Sequence, residues 1–333
     1  MCSNDISLLA SDEFYEITLH CLTVFKIPLH ILGAYIVIAK TPVKMSSVKT
    51  SMLVLHLVSA FLDIYMSFIC VPVFTLPVSA GYPLGISLWL GIPTSVQVYV
   101  GCSLLSAVCV SIIGSFEERH YILLNGMCQT IRWKRIFYLA SLYIISFLFM
   151  LPTYLVMPNQ IDGKYGIMQK VPCIPHEILN RPGFFVLAVD STVCVFSFCL
   201  DASFLFCQLF FFVISITYRL SQTTTKSKAT YKLQKKFMIS LGLHTLIPTM
   251  MIVFPVIYLA VAISHNIYNQ AATNIALAVV SMHGVLSTIT MLVVHKPYRI
   301  ATITVFKLNG TFRTEINVSR VWRTVAGGEI TGI

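Results

Sequence analysis

Two ionisable side chains lie in the middle of an apolar stretch of this sequence. Asp63 stands midway between residues 51 and 73, and His56 precedes it by seven residues. Seven residues make about two turns of an α-helix, so both side chains would share one helical face. A charged group at the centre of a membrane helix costs about 2.5–3.5 kcal/mol on insertion scales, which marks it as a functional candidate. The pair could couple ion or proton occupancy to a conformational change, or hold helices together by hydrogen bonds, and we favour the second interpretation.

Three other polar side chains in apolar stretches could line a ligand cavity: Gln97, Tyr99 and Asp201. The Asp201 carboxylate would meet a polar or cationic group of a ligand, or it would accept a hydrogen bond from a neighbouring helix. Lys26 lies about one turn inside the first apolar stretch, and we expect it to extend its ammonium group outward along its methylene stem. We assign Lys26 no function.

Two prolines, Pro248 and Pro255, lie within the sixth apolar stretch. A proline inside a helix removes one backbone hydrogen bond and clashes with the preceding turn, so it kinks the helix. The kink could act as a hinge, or it could stay fixed against neighbouring helices. A basic segment from residue 219 to residue 236 precedes the stretch, and this position favours a hinge.

No pattern of catalytic or metal-binding residues occurs in the sequence. It has no Gly-rich phosphate loop, no His-Glu-x-x-His and no nucleophile motif. The ten cysteines fall mostly in the apolar stretches, where a cysteine acts as a small apolar side chain, and they show no metal-ligand spacing. We therefore predict neither an enzyme nor a metal or cofactor site.

Cys173 differs from the other cysteines because it falls in a predicted outer loop, where a disulfide could persist. Its partner could be Cys2, Cys21, Cys70 or Cys102. The sequence does not choose among these four.

Seven long apolar stretches must position these residues. Of the 333 residues, 56% are hydrophobic and 11% are charged, against about 25% charged in soluble domains. A membrane span needs roughly 20 apolar residues, and we place spans at residues 22–39, 51–73, 92–113, 136–157, 192–216, 237–260 and 274–294. Each must be helical, because lipid offers no partner for an open backbone. The predicted fold is therefore an all-α membrane protein, a bundle of seven transmembrane helices.

The basic residues predict the orientation of the bundle. Of the 23 Lys and Arg residues, 19 fall in every second gap between spans and in the carboxyl-terminal tail. Such segments stay in the cytoplasm, which predicts an extracellular amino terminus over residues 1–21 and a cytoplasmic tail over residues 295–333. Two glycosylation sequons, at Asn309 and Asn317, would then lie in the cytoplasm. The net charge of +10 indicates contact with anionic lipid and not with nucleic acid.

One predicted outer loop, residues 158–186, is longer than the others. It contains Pro172, Pro175 and Pro182, and this proline content predicts an irregular lid.

Six short motifs occur in an order that resembles the nematode serpentine receptor class H chemoreceptors. They are Lys40-Thr41-Pro42, Leu55-His56 with Leu62-Asp63, Ala80-Gly81-Tyr82-Pro83-Leu84-Gly85, Phe116-Glu117-Glu118-Arg119, Val171-Pro172-Cys173-Ile174-Pro175 and His295-Lys296-Pro297-Tyr298-Arg299. The resemblance extends from about residue 29 to residue 306. Glu118 and Lys296 stand where the family pattern has asparagine.

The resemblance implies a G-protein-coupled receptor that detects a small molecule, such as an odorant or a pheromone. It implies signalling to a heterotrimeric G protein from the plasma membrane of sensory neuron cilia, and it leaves a homo- or heterodimer open. A bundle of helices with two arrangements is what such signalling requires, since a ligand shifts an equilibrium only by its different affinity for two states.

We accordingly expect the ligand among the outer halves of spans three, five, six and seven, near Gln97, Tyr99 and Asp201. Span six would move about its prolines and open a cytoplasmic cleft for the G protein. The residues expected around that cleft all lie on the basic side: Glu117, Arg119, Lys235, Lys236 and Tyr298, with Phe116, Pro297 and Arg299 in the adjoining motifs.

Two alternatives from other functional classes remain open. A transporter or channel could use Asp63, His56 and Asp201 as a polar path, although seven spans cannot form two equal inverted halves. A receptor-like scaffold could dimerise without binding a ligand.

Overall fold

The computed structural model describes residues 7–125, 132–171, 174–222 and 228–309. Cys2, Cys173 and Asn317 lie outside the described residues, so the disulfide of Cys173 stays a prediction. Among the described cysteines, Cys21, Cys70 and Cys102 each carry a free thiol.

The described part of the chain contains thirteen α-helices. In chain order they are α1 (Asp12–Lys40), α2 (Ser46–Ile64), α3 (Ile86–Trp89), α4 (Thr94–Asn125), α5 (Arg132–Leu148), α6 (Leu151–Leu155), α7 (Gln160–Lys170), α8 (His176–Leu179), α9 (Thr192–Gln222), α10 (Lys228–Ser264), α11 (Gln270–Val280), α12 (His283–Val294) and α13 (Lys296–Asn309). Short 3₁₀ turns at Leu8–Ala10 and Val43–Met45 precede α1 and α2, and a π-helical turn at Tyr65–Ile69 continues α2.

Seven helical segments in the described part of the chain are long and apolar enough to cross a membrane. Spans one, two, three, five and six are α1, α2 with its π-helical turn, α4, α9 and α10. Span four is α5 followed by α6, and span seven is α11 followed by α12. The predicted seven-helix fold is confirmed.

Several helices are longer than the apolar stretches that predicted them. Helix α1 begins at Asp12, ten residues before the predicted span, and α4 continues to Asn125, well past residue 113. Asp12 and Glu13 in the first turn of α1 suit the positive end of its dipole. Hydropathy finds the part of a helix that lies in lipid, whereas backbone hydrogen bonding decides where the helix ends.

A three-stranded antiparallel sheet covers one end of the bundle, which we call the sheet end. Its strands are β1 (Pro72–Phe74), β2 (Ser79–Pro83) and β3 (Phe185–Ala188), in the order β1-β2-β3. Gly81 in β2 lies so close to β1 that a Cβ atom would be 2.2 Å from the carbonyl oxygen of Val73. The sheet was not predicted, and it accounts for a glycine in the second strand.

The predicted irregular lid over residues 158–186 is wrong in its described part, because the segment is largely regular. It contains α7, α8 and β3. Asn159 caps α7 by accepting a hydrogen bond from the backbone of Ile161 at 3.3 Å. The Gln160 amide bonds both backbone groups of Val186, at 3.0 and 2.9 Å. These bonds attach α7 to the sheet.

Spans two and seven form the interior of the bundle. Their most apolar windows are 56% and 61% buried, against 22–39% in the other five spans. Span seven is also interrupted, since α11 ends at Val280 and α12 begins at His283. The interruption lies beside the buried carboxylate of span two.

Candidate functional site

Asp63 caps the second half of span seven. This fully buried carboxylate accepts hydrogen bonds from the backbone N–H groups of Gly284, at 3.0 Å, and Val285, at 2.7 Å. These are the second and third residues of α12, the positions that an N-cap side chain normally serves. Gly284 makes the approach possible, since a Cβ atom there would lie 2.8 Å from the Asp63 Oδ2 atom.

Two histidines complete the surroundings of Asp63. The Nδ1 atom of His283 lies 2.9 Å from Oδ1, and the Nε2 atom of His30 lies 3.3 Å from Oδ2. Each carboxylate oxygen therefore faces one backbone N–H and one imidazole nitrogen. A buried charge needs this degree of hydrogen bonding to be tolerated.

The expectation that Lys26 extends outward is wrong. Lys26 is 1% exposed, and its ammonium group donates to the carbonyl oxygen of Ser281 at 2.8 Å and to the Ser281 hydroxyl at 3.1 Å. Ser281 is the C-cap residue of α11, where carbonyl groups lack helical partners. The interruption of span seven thus has a cation at the end of α11 and Asp63 at the start of α12, which matches both helix dipoles.

His56 belongs to the same polar cluster without touching Asp63. Its Nε2 atom lies 2.9 Å from the backbone oxygen of His30, and its Nδ1 atom lies 3.3 Å from the Thr288 hydroxyl. That hydroxyl also lies 3.2 Å from His30 Nδ1. His30 and Thr288 therefore connect His56 to Asp63, an arrangement that suits helix-to-helix attachment.

A cavity of about 210 Å³ lies at the sheet end. Its walls come from the sheet and from spans two, three, five, six and seven, and none of the described lining residues is Asp, Glu, Lys, Arg or His. This volume exceeds the roughly 150 Å³ of an engineered apolar cavity that stays dry and binds benzene. The cavity therefore has the size and character to hold one small uncharged molecule.

The polar side chains in the cavity wall already have partners within the protein. Gln97 accepts a hydrogen bond from Ser87 at 2.6 Å and donates to the Ile92 carbonyl at 2.8 Å. The Tyr65 hydroxyl donates to the backbone carbonyl of Gln97 at 2.6 Å. The Thr94 hydroxyl donates to the backbone carbonyl of Gly183, just before β3, at 2.7 Å. A ligand would find few free hydrogen-bonding groups on these side chains.

Of the three side chains predicted to line a cavity, the structure places only Gln97 in its wall. Tyr99 packs edge-to-face on Phe147 and Tyr154 of span four, with ring centroids 5.1 and 5.0 Å away. Asp201 accepts a hydrogen bond from Ser106 at 2.7 Å, which joins spans three and five. Tyr99 and Asp201 therefore lie at helix contacts outside the cavity lining.

A polar latch joins the sheet to the start of span one. The Tyr82 hydroxyl of β2 donates to the Asp12 carboxylate at 2.9 Å, and Arg181 pairs with the same carboxylate at 3.1 Å. Burial, together with the nearby Asp12 charge, raises the pKa of Tyr82 above its usual range, so its hydroxyl stays protonated and donates. Tyr82 also lines the cavity, so the latch holds part of the cavity wall.

Replacing Tyr82 with phenylalanine should loosen this wall. A hydrogen bond to a charged group contributes about 1.5–3 kcal/mol, so amide hydrogen exchange over residues 79–83 should accelerate about tenfold or more. Hydrogen–deuterium exchange with mass spectrometry on the full-length protein measures this. Tyr165→Phe is the matched control, because Tyr165 is 62% exposed. Equal exchange in the two variants would show that the latch does not hold the sheet.

An aromatic cluster lies at the opposite end of the bundle, which we call the α13 end. We define it as Arg119, Phe237, His244, His295 and Tyr298. The Arg119 guanidinium stacks 3.2 Å from the centre of the Phe237 ring. The His295 ring lies 5.7 Å from Phe237, 5.6 Å from His244 and 5.8 Å from Tyr298. The cluster thus joins spans three, six and seven to α13.

Tyr298 extends this cluster to spans one and two. It is fully buried, and its hydroxyl lies 3.0 Å from the Thr41 hydroxyl and 3.7 Å from the Met52 sulfur. Burial raises the pKa of Tyr298, partly offset by the bond to Thr41.

Burial and the positive charge of Arg119 lower the pKa of His295 to about 4, so its ring is neutral at neutral pH. Neighbouring Pro297 is half-buried and Arg299 is exposed.

Glu117 and Arg119 of the same motif have different partners. Glu117 binds Arg135 of span four, with Nε–Oε1 and Nη2–Oε2 distances of 2.8 and 2.7 Å. Arg119 is free to stack on Phe237 because the carboxylate is held by the planar fork of another guanidinium. Phe116, one residue earlier, is buried in the core.

Both prolines of span six lie inside a continuous helix. Helix α10 runs from Lys228 to Ser264 through Pro248 and Pro255, and each proline removes one backbone hydrogen bond. Lys235 and Lys236 are exposed on the same helix, toward the α13 end. The prolines therefore weaken α10 between the aromatic cluster and the cavity.

Sequence reasoning missed several residues of these sites, chiefly Lys26, His30, His283 and Phe237. One signal was available in the sequence. An isolated charge in a membrane span carries a large free-energy cost, and Lys26 and Asp63 are charged residues of opposite sign in spans one and two. Counting them as a pair would have predicted that both face the interior.

Comparison with known proteins agrees with this architecture. A family model for serpentine type seven-transmembrane G-protein-coupled chemoreceptors, Srh, matches residues 10–308. The chain is 25% identical over 310 residues to Serpentine receptor class H-72 of Caenorhabditis elegans. The aligned region covers 92% of this chain and 89% of that relative. The resemblance predicted from the motifs is confirmed. This multi-pass membrane protein belongs to the Srh family of serpentine seven-transmembrane chemoreceptors.

Proposed function

We propose that a small, neutral, largely apolar molecule activates this receptor by binding in the sheet-end cavity. The observation that carries the proposal is the cavity wall, which has room for one small molecule, no ionised side chain among its described residues, and polar side chains that are already hydrogen-bonded. An ionised ligand would lose its hydration there without gaining a partner. A hydrocarbon-like ligand has no hydration of a charge to lose.

Helices α10 and α11 could transmit ligand binding away from the cavity. Both line it, α10 through Val256 and Leu259 and α11 through Leu277 and Val280. Helix α10 continues to the aromatic cluster, and α11 ends at the interruption held by Lys26 and Asp63. A ligand that fits one arrangement of these helices better than another shifts the population toward it.

The α13 end is our candidate for the G-protein side. Span six would move about Pro248, separate Phe237 from Arg119, and open a cleft bounded by Glu117, Arg119, Lys235, Lys236 and Tyr298. A heterotrimeric G protein would bind in that cleft. The sheet end would then face the outside, as the basic residues predict.

Calcium imaging of cells that express the full chain tests the ligand class. The panel would compare molecules of equal size, such as an alkylbenzene, the corresponding benzylamine and the corresponding benzoate. We expect responses to neutral members only. Responses confined to amines or acids would refute the proposed cavity chemistry.

Charge reversal at Arg119 tests the aromatic cluster. A desolvated cation–π contact contributes about 2 kcal/mol or more, and Arg119→Glu would place a carboxylate against the negative face of the Phe237 ring. We expect raised basal signalling and a smaller ligand-driven increase, measured by a G-protein activation assay. Lys134→Glu is the control, because Lys134 is exposed at the same end. Unchanged ligand-driven signalling in Arg119→Glu would contradict the proposal.

The transporter alternative finds no support in these contacts. Both oxygens of Asp63 are occupied by protein donors, His56 is bonded to spans one and seven, and Asp201 is bonded to Ser106. None of these side chains lines the sheet-end cavity.

We also propose that the receptor resides in the plasma membrane of sensory neuron cilia with its tail in the cytoplasm. The sequons at Asn309 and Asn317 test the orientation. They should remain unglycosylated in cells, as a glycosidase mobility-shift assay would show. Glycan on either residue would place the tail outside and overturn the orientation.

A further inference from the structure

A second, much smaller cavity lies where span six meets span seven. Its volume is about 10 Å³, and its lining includes His244, Pro248, His283 and Ser287. A cavity of roughly 10–15 Å³ on this measure holds one water molecule. The site is therefore too small for any organic ligand and large enough for a single water.

Two unpaired imidazole nitrogens belong to residues that line this cavity. Nδ1 of His244 and Nε2 of His283 have no protein partner, and these residues are 2% and 1% exposed. Their other nitrogens are engaged: Nε2 of His244 lies 3.3 Å from the Ser287 hydroxyl, and Nδ1 of His283 lies 2.9 Å from the Val280 carbonyl. Buried polar atoms without a partner are rare, and an ordered water is their usual partner.

Other occupants fit this cavity less well. A dry cavity would leave both imidazole nitrogens unsatisfied. A metal ion would need more ligands than two imidazoles, and the described residues contain no group of three or more metal-ligating side chains. A sodium-like cation prefers oxygen ligands, yet no Asp or Glu occurs among the described residues that line this cavity.

We propose that one buried water binds between His244 of span six and His283 of span seven. In its neutral form His283 donates from Nδ1 to oxygen atoms, which leaves its Nε2 atom to accept a hydrogen bond from the water, and the second water hydrogen goes to Nδ1 of His244.

This water would join span six to span seven. It bonds span six one turn from Pro248, and it bonds span seven at the first residue of α12, beside the N–H groups that Asp63 caps. Rotation of α10 about Pro248 would carry His244 away from His283 and release the water. The hydrated contact therefore belongs to the arrangement in which span six is closed.

Water-edited solid-state NMR on the full-length receptor in lipid bilayers, labelled with ¹⁵N-histidine, tests the proposal. Nδ1 of His244 and Nε2 of His283 should gain magnetisation from water several times faster than the ring nitrogens of His56. His56 is the internal control, because it is 4% exposed and both its nitrogens have protein partners. Rates equal to those of His56 would overturn the proposal.

A second measurement does not depend on assigning the NMR signals. The signals would be assigned with His244→Gln and His283→Gln, and either variant could fail to fold. A cryo-electron microscopy map of the unaltered receptor, at a resolution that shows other buried waters, should contain a peak within hydrogen-bonding distance of both nitrogens. Absence of that peak would also overturn the proposal.

Discussion

Replacing Asp63 with asparagine should destabilise the receptor by about 3–5 kcal/mol, the cost of removing the anion from a buried network that also contains the cation Lys26. The substitution leaves Lys26 without an opposing charge, and it turns an amide NH₂ group toward donors. The N-cap of α12 would lose an acceptor for Gly284 or Val285. Denaturant unfolding of the purified receptor in mixed micelles measures the difference in free energy.

Asp190→Asn is the matched control for this prediction. Asp190 is exposed and accepts hydrogen bonds from the nearby Thr192, and the side-chain oxygen of asparagine can accept the same bonds, so the change should stay within about 0.5 kcal/mol. Adding Lys26→Met to the Asp63 variant should recover part of the loss, because the uncompensated cation is removed. An Asp63→Asn variant as stable as the control would show that the interruption of span seven does not depend on this cap.

Replacing Ala260 with phenylalanine should raise the agonist concentration for half-maximal response about 5- to 140-fold. Ala260 lines the sheet-end cavity, and a benzyl group there takes space that the ligand would occupy. The expected range follows from about 1–3 kcal/mol for overfilling a packed site, at 1.4 kcal/mol per tenfold change. Dose–response curves with an agonist from the neutral panel measure the shift.

Val261→Phe provides the control for the cavity prediction. Val261 is the next residue on α10, is 42% exposed and does not line the cavity. Its phenylalanine variant should respond as the unaltered receptor does, with equal surface expression. Equal dose–response curves for the Ala260 and Val261 variants would place the ligand elsewhere.

The sequence predicted the fold well because membrane helices leave a simple signal. Long apolar stretches identify spans one by one, and lipid allows no other regular structure for them. Asp63 and His56 could also be found from sequence, since a polar residue in an apolar stretch is conspicuous.

The partners of those residues could not be predicted, because spacing within one helix does not say which faces of different helices meet. The interruption of span seven illustrates this limit. Residues 274–294 read as one continuous apolar stretch, and the break at Ser281 is stabilised by Lys26 and Asp63 from two other spans. The sheet was missed for the same reason, since β3 pairs with β2 from about a hundred residues away along the chain.

Two of the three predicted ligand residues, Tyr99 and Asp201, lie outside the sheet-end cavity. Asp201 and Tyr99 were selected for polarity, yet the Oδ2 atom of Asp201 accepts a hydrogen bond from Ser106 and the Tyr99 hydroxyl donates to the Phe147 carbonyl, both at helix contacts. The cavity is instead lined by residues such as Val98, Leu259 and Leu277, which no sequence pattern separates from ordinary core residues. Apolar binding sites are hard to find from sequence because they are made of the same residues as the core.

The distance between span six and span four at the α13 end shows directly whether ligand binding at the sheet end moves α10. Spin labels would be attached through unnatural amino acids at Lys134 and Lys232, both exposed, and the distance measured by double electron–electron resonance in nanodiscs. We expect a longer mean distance when an agonist from the neutral panel is added, and no such change in Ala260→Phe at the same concentration. An unchanged distance in a receptor that the agonist demonstrably activates would contradict the proposed movement of α10.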